Sequence, residues 1–231
     1  MPKLARSAII KGAMAGAGLL MAASLAAPAA ATVIIFGPDS CGGPATCTDF
    51  SIISQTFGDT ADVNLSYRSA SGPGNAASVN TRPLRFSELG VSGSNGASVV
   101  PNGATPSQQA EIRFDLLSTG TITLGSVDFG TYFGSADLLD YRVYDGNWAL
   151  LTSGSTLLDP GSLTRVVLNI TSANGLILQF GAASVGGGIQ NIDYSFDPPA
   201  VPEPASWAML VAGFGLIGTT RRFRKEHRTL A

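Results

Sequence analysis

Between residues 32 and 200 the sequence contains no lysine, no histidine and no methionine. Without a histidine, no Ser-His-Asp or Cys-His catalytic arrangement can be built from this part of the chain. Six arginines oppose fourteen aspartates and glutamates there, so the segment carries a net charge near −8 although the whole chain stands at −2. An acidic surface repels phosphate backbones, and we therefore expect no binding to nucleic acid.

The same segment lacks any stretch whose apolar residues recur with a helical period. Apolar and polar residues instead alternate along six stretches, at 63–67, 112–116, 139–143, 166–170, 176–180 and 192–196. This period of two is typical of strands with one buried and one solvated face. It predicts that Phe114, Leu168 and Phe180 are buried. By the same parity Arg113, Gln179 and most of the acids, including Asp62, Glu111, Asp115 and Asp140, are expected on the solvated face.

Short strands separated by Gly, Asn and Ser predict an all-β fold for residues 32–200, an antiparallel β-sandwich of roughly eight to ten strands. Asp145-Gly146-Asn147 is a hairpin signal. The inward parity switches at Gly125, which predicts a bulge or bend there. In pattern alone, residues 120–197 resemble jelly-roll sandwiches of the galactose-binding-like type, which commonly bind sugars or serve as structural modules.

The N-terminal segment predicts export. Positive residues at Lys3, Arg6 and Lys11 precede an apolar stretch over 12–27, and Ala29-Ala30-Ala31 fits the small-x-small rule for cleavage. We expect a signal peptide over 1–31, with signal peptidase cutting between Ala31 and Thr32. A retained N-terminal membrane helix is the alternative.

Cys41 and Cys47 are the only cysteines of the chain. In an exported protein an even pair favours a disulfide, which here would close a short loop and staple the N-terminal segment locally. A metal or redox pair is the alternative, but neither a histidine nor another soft ligand lies nearby to complete a zinc site.

The C-terminal segment, 201–225, has three parts in a fixed order. Pro202-Glu203-Pro204 is followed by sixteen uncharged residues over 205–220, and a basic cluster over 221–225 ends the segment. A helix over 205–220 would span about 24 Å, short of the roughly 30 Å of a bilayer core. It is a marginal transmembrane helix whose basic residues predict a cytoplasmic C-terminus. A buried amphipathic helix is the alternative.

This order resembles the PEP-CTERM sorting signal of Gram-negative bacteria. The residues that carry the resemblance are Pro202, Glu203, Pro204, Trp207, Arg221, Arg222 and Arg224. The resemblance implies recognition by exosortase, a membrane-embedded cysteine transpeptidase, and removal of the helix near Pro204. It also implies an inner-membrane intermediate and a final place at the cell surface or outside the cell, often alongside exopolysaccharide.

Two sets of residues are candidates for binding. Asp137, Asp140 and Asp145 lie close in sequence, and oxygen ligands suit Ca²⁺; solvated or turn-forming aspartates are the alternative. Tyr132, Tyr144 and Trp148 could stack against a sugar, although Trp148 shares the parity of Leu150, which favours a core position. No other cofactor is expected.

Two function classes remain. The first is a non-catalytic surface or extracellular-matrix protein that is sorted by exosortase and whose sandwich binds carbohydrate or stands beside exopolysaccharide. The second is a secreted polysaccharide hydrolase with paired carboxylates, which would lie about 5 to 9.5 Å apart in a cleft. We expect the first, because most of the acids fall on the polar parity of strands.

Overall fold

A computed structural model describes residues 31–43, 47–48, 50–74, 82–88, 97–101, 109–131, 136–181, 187–199, 209 and 211–214. Several sequence predictions lie outside the described residues. They are the signal peptide up to residue 30, the Pro-Glu-Pro motif, Trp207, the basic cluster and Tyr132. The chain divides into two compact units, residues 28–199 on the one hand and residues 1–27 with 200–231 on the other.

The unit 28–199 is built of antiparallel strands, as the period of two predicts. Its described part contains eleven of them: β1 (Ala31–Ile35), β2 (Val63–Ala70), β3 (Arg82–Glu88), β4 (Ala97–Pro101), β5 (Gln109–Leu116), β6 (Thr121–Thr131), β7 (Asp137–Asp145), β8 (Leu150–Leu158), β9 (Thr164–Ser172), β10 (Leu176–Gly181) and β11 (Gly187–Asp197). The predicted all-β class is confirmed. Residues 209 and 211–214 are helical. Among the described residues, no helix has the length and apolar character needed to cross a membrane.

The strands form two sheets. The small sheet has the order β1-β11-β6-β9, and the large sheet has the order β4-β3-β2-β5-β10-β7-β8. Aromatic rings join the two across the core: Phe114 of the large sheet meets Tyr194 of the small one with ring centres 5.4 Å apart, and Phe180 meets Phe129 at 5.4 Å. The two sheets therefore pack face to face around one apolar core.

The core confirms most of the predicted parity. Phe114 and Phe180 are buried, whereas Leu168 is only partly buried and packs against the core from β9, the edge strand of the small sheet. An edge strand has neighbours on one side only, so its inward residues are covered less well. The jelly-roll resemblance stays a prediction.

Gly125 marks an irregularity in β6, as its parity switch predicts. In the pairing of β6 with β11, Ser126 lies opposite Asp193 and Leu124 opposite the next residue, Tyr194, so Gly125 is an extra residue in β6. A Cβ on Gly125 would lie 3.3 Å from a carboxylate oxygen of Asp193 on β11. The extra residue lets β6 bend while its apolar side chains stay in the core.

The predicted disulfide is confirmed. Cys41 and Cys47 are bonded, with their Cα atoms 5.6 Å apart. Cys47 is buried, and its N–H donates to the carbonyl of Pro38 at 2.6 Å. The bond therefore closes a local loop beside Phe36, which is part of the core.

Candidate functional site

The outer face of the large sheet, which points away from the core, is the richest in polar chemistry. Strand register places its side chains in three rows that cross β2, β5, β10, β7 and β8 in that order. The rows are Ala70, Gln109, Gly181, Asp140, Ser155; then Arg68, Glu111, Gln179, Arg142, Ser153; and then Ser66, Arg113, Ile177, Tyr144, Leu150.

A polar network occupies the middle of this face. Arg68 Nε donates to one carboxylate oxygen of Glu111 at 2.5 Å, and Gln179 Nε2 donates to the other at 2.7 Å. Gln179 Oε1 accepts from the N–H of Gly74 at 2.8 Å. Glu111 and Gln179 are both fully buried. The carboxylate of Glu111 therefore has one charged partner, Arg68, and one neutral partner, Gln179. The hydrogen bond from Gly74 also attaches the residues after β2 to the sheet.

The burial of Glu111 and Gln179 corrects the sequence analysis, which expected a solvated face. Parity identifies the face to which a side chain points, and it did so correctly for both residues. It does not say whether a loop covers that face, and the contact from Gly74 shows that the chain after β2 does. Glu111 lies on β5 and Gln179 on β10, 68 positions later, and nothing in the sequence indicated that the two would pair.

Trp148 lies in the turn between β7 and β8, next to the third row. The backbone of Trp148 is left-handed, with φ at 69°, and its N–H donates to the carbonyl of Asp145 at 3.0 Å. Asp145 Oδ1 accepts from the N–H groups of Asn147 and Ala149 at 2.9 and 2.8 Å. The predicted hairpin is confirmed, and the Asp145 side chain fixes its shape.

Gly146 is required in this turn because the backbone of the next connection approaches it closely. Its N–H donates to the carbonyl of Gly175 at 3.1 Å. A Cβ on Gly146 would lie 1.8 Å from the carbonyl oxygen of Asn174. The turn carrying Trp148 is thus braced against the β9–β10 connection.

Trp148 is partly exposed and lies outside the core cluster, and Leu150, whose shared parity favoured a core position for it, is exposed as well. The register between β7 and β8 shifts between Val143 and Tyr144, which places Leu150 opposite Tyr144 on the outer face. Its indole packs 5.5 Å from the ring of Tyr144, and the Arg113 guanidinium lies 5.8 Å from the indole centre. The accessible aromatic surface here is therefore the indole.

Tyr144 is buried, so its ring supports the indole and cannot itself stack against a ligand. Burial raises the pKa of the Tyr144 hydroxyl above its usual value, Arg142 lowers it and Glu111 raises it. The hydroxyl therefore remains protonated at neutral pH and available as a hydrogen-bond donor.

Polar groups without partners mark the same face. Within the described residues, both amide atoms of Gln109 and Nε of Arg113 are buried without a hydrogen-bond partner on this face; Arg85 Nε and Gln190 Oε1 are also unpaired elsewhere. The side chain of Arg142 takes part in no hydrogen bond or ion pair within the part of the chain that the structure describes. Unpaired buried polar groups are costly and uncommon in folded proteins, which makes them markers of a ligand site.

The three calcium candidates are separately engaged. Asp145 shapes the turn, Asp140 Oδ1 accepts from Ser155 Oγ at 2.6 Å, and Asp137 Oδ1 accepts from the N–H of Leu138 at 2.9 Å. Within the described residues, the structure assembles no group of three acidic, histidine or cysteine side chains able to hold a metal ion. Calcium binding stays a prediction.

A second polar group lies on the outer face of the small sheet. Asp128 accepts from Arg165 Nε at 2.7 Å, from Arg165 Nη2 at 2.9 Å and from Asn191 Nδ2 at 2.8 Å. The hydrogen bonds from Arg165 hold the pKa of Asp128 below its usual value, against the opposing effect of burial. These residues, with Asp193 and the exposed Val33, line a depression of about 200 Å³.

Comparison with known protein families gives a match in the C-terminal segment. Residues 200–225 match the PEP-CTERM protein-sorting motif. The chain carries a PEP-CTERM sorting motif. Such a motif belongs to an exported protein that is sorted through the membrane, and it implies recognition by exosortase. The resemblance proposed from the Pro-Glu-Pro, helix and arginine order is therefore confirmed.

No curated protein sequence matches the chain. Among solved structures, one titled for the structure and function of a CBM4 module is 15% identical, covering 50% of this chain and 77% of its own, with a TM-score of 0.28. A GH26-CBM35 β-(1,4)-mannanase from Podospora anserina is 13% identical and covers 62% of this chain, with a TM-score of 0.32. This chain covers only 29% of the mannanase. At such TM-scores the resemblances carry no argument about function.

Proposed function

We propose that this protein is a non-catalytic β-sandwich displayed at the cell surface or in the extracellular matrix, where it binds carbohydrate. In this proposal signal peptidase and exosortase process the two ends, and the binding area is the outer face of the large sheet. The observation that carries the binding role is the partly exposed indole of Trp148, held by Tyr144 and Arg113 beside unpaired polar groups.

The sorting motif supports the route. The tail would hold the protein in the inner membrane until exosortase cuts near Pro204, after which the sandwich would move outward. The motif concerns the sorting of the protein and carries no information on a ligand. The residues that support a ligand lie in the β-sandwich.

The accessible part of the outer face lies along β7 and β8. It combines an aromatic ring with exposed Leu150 and Leu151, the hydroxyls of Ser153 and Ser155, and the guanidinium of Arg142. A sugar offers the complementary surfaces, because its ring has an apolar face and its rim carries hydroxyl groups that donate and accept hydrogen bonds. Sites of this kind bind mostly through apolar and aromatic contact and use few polar groups for orientation.

The turn presents the indole with little freedom to move. Its backbone is held by Asp145, the ring is packed on Tyr144, and the turn is braced by Gly175. A side chain that is already ordered loses less entropy when a ligand binds, which raises affinity. Burial of Glu111 with Arg68 beneath the same face serves this rigidity.

A polysaccharide hydrolase is the second candidate, because Asp128 and Asp193 line one depression. A glycosidase needs one carboxyl that stays protonated near neutral pH to act as general acid. Arg165 lowers the pKa of Asp128, so Asp128 cannot take that role and Asp193 would have to. Release of reducing sugar by the purified protein, lost in Asp193→Asn, would establish the hydrolase and overturn the non-catalytic proposal.

The proposal is tested on a glycan array with the purified full chain, in the presence of calcium and in its absence. We expect binding to a defined set of glycans, reduced at least tenfold by Trp148→Ala. Leu117→Ala is the matched control, since Leu117 is an exposed apolar residue on the β5–β6 connection, outside the three rows. Binding that Trp148→Ala leaves unchanged would contradict the site, and loss on removal of calcium would support the predicted metal.

A further inference from the structure

Some charged side chains of the outer face have hydrogen-bond or ion-pair partners within the protein, and others do not. Glu111 is paired with Arg68 and Gln179, Asp140 with Ser155, and Asp145 with the backbone of its own turn. The side chain of Arg142, in contrast, takes part in none of the hydrogen bonds or ion pairs among the described residues. The side chain of Arg142 is therefore a positive charge that remains available to a ligand on this face.

Arg113 is the second available cation. Its ion pair with Asp115 is long, at 3.8 Å, and nearly half of the Asp115 side chain is exposed. A pair of this kind contributes little in water. The Nε of Arg113 is buried and unpaired, and its guanidinium lies over the indole of Trp148.

Both arginines lie near the aromatic pair of Tyr144 and Trp148. Arg142 is two residues from Tyr144 on β7 and shares its face, which places their Cα atoms about 6.6 Å apart. Arg113 lies two strands from Tyr144 in the same row, across Ile177 on β10, or about 9.5 Å. These Cα separations place both arginines within the length of one or two sugar units of Tyr144, on which the indole packs.

This arrangement is unusual for a segment whose net charge is near −8. Half of its six arginines, namely Arg68, Arg113 and Arg142, fall within the three rows. Remote acids repel an anionic ligand only weakly, because charges are screened over about 8 Å at physiological ionic strength. An arginine in direct contact is screened much less, and its planar guanidinium matches a carboxylate with two parallel hydrogen bonds.

We propose that the carbohydrate bound by this face is anionic, a polysaccharide of the uronic acid class whose carboxylate is received by Arg142. Trp148 stacks against the sugar ring, and Arg113 is near enough to take a second carboxylate along the chain. The inference rests on the proposed carbohydrate-binding function and names the ligand class for that site.

The test compares polygalacturonate with the same polymer after its carboxyl groups have been reduced to alcohols. Affinity electrophoresis and calorimetry are done with the purified full chain. We expect at least tenfold tighter binding to the uronate. Equal binding to both polymers would overturn the anionic inference while leaving carbohydrate binding in place. Binding to neither polymer, together with a blank glycan array, would overturn both.

Arg142→Gln removes the charge and keeps a hydrogen-bonding side chain. We expect it to lose at least tenfold in affinity for the uronate and to bind the reduced polymer as the wild type does. Arg142→Lys should recover part of the loss, since it keeps the charge without the paired hydrogen bonds.

Arg85→Gln is the matched control. It makes the same charge change on β3, four strand spacings or about 19 Å from β7. Arg85 donates to the carbonyl of Phe50 and lies outside the three rows. Thermal melts confirm that each variant folds. Equal losses from Arg85→Gln and Arg142→Gln would show a general charge effect and overturn the assignment to Arg142.

Discussion

At the scale of single residues, Glu111 and Gln179 form a buried polar pair on the outer face of the large sheet. Each lies on the polar side of an alternating strand, and each is nevertheless fully buried. A buried carboxylate needs partners, and the hydrogen bonds from Arg68 and Gln179 supply them. Glu111 and Gln179 are therefore buried structural residues next to the proposed site and are not exposed to solvent.

We expect Gln179→Ala to destabilise the fold by about 1–3 kcal/mol, because it removes a hydrogen bond to the carboxylate of buried Glu111. It also removes the acceptor for the N–H of Gly74. The measurement is a urea or thermal melt of the purified protein.

Ser153→Ala is the control for that prediction. Ser153 lies in the same row but is exposed, and a surface change of this kind is expected to stay within about 0.5 kcal/mol. Similar melting curves for the two variants would show that the network contributes nothing measurable to stability.

Asp128 gives a pH prediction at the same scale. Its pKa is lowered in the folded state, chiefly by the hydrogen bonds from Arg165. The pair therefore adds stability above the unfolded pKa of about 3.9 and loses it as pH falls through the lower folded value. Between about pH 5 and pH 2 the melting temperature of wild type should fall more steeply than that of Asp128→Asn. Parallel plots of melting temperature against pH for wild type and Asp128→Asn would contradict this prediction. Asp159→Asn, at an exposed position, is the control and should follow the wild type.

At the scale of elements, β1 links the fold to processing. The strand runs from Ala31 to Ile35 and pairs only with β11 among the described strands, with Ala31 opposite Ser195. The predicted signal-peptidase bond, between Ala31 and Thr32, therefore lies inside a paired strand. Because β11 is the last of the described strands in sequence, cleavage next to β1 can take place before β11 has emerged.

We expect a refolded precursor to resist signal peptidase in detergent, because the backbone around the bond is hydrogen-bonded in the sheet. A precursor truncated after Gly181 lacks β11 and should be cut. Intact mass distinguishes the products, and the cut form should begin at Thr32. Cleavage of the two precursors at the same rate would show that β1 pairing does not protect the bond.

At the scale of the whole molecule, a β-sandwich and a sorting motif are joined in one chain. The motif covers residues 200–225 and begins three residues after the last residue of β11. Recognition of the tail and binding by the sandwich therefore rest on separate parts of the sequence, and each can be changed without the other.

We expect Glu203→Ala combined with Pro204→Ala to leave export and folding unchanged but to block removal of the tail. The variant should keep an epitope tag placed after Ala231 and accumulate in the inner membrane, whereas wild type loses the tag and moves outward. Blotting of membrane and surface fractions measures this. Wild-type molecules that all keep the tag at the surface would show that the tail is a plain anchor.

The sequence by itself determined the all-β class, the inward parity of residues such as Phe114, the Cys41–Cys47 disulfide and the sorting motif. Each depends on neighbours in sequence: a period of two, a short spacing between cysteines, or an ordered run of residue types. Only the tertiary structure decided which polar residues are buried and which meet. Glu111 pairs with Gln179, 68 positions away, because β10 lies beside β5, and Trp148 lies outside the core because the register of β7 and β8 puts its same-parity neighbour Leu150 on the outer face. The order of the strands in the sheet and the loops that cover its face bring distant residues together. The local alternation of apolar and polar residues predicts neither of these.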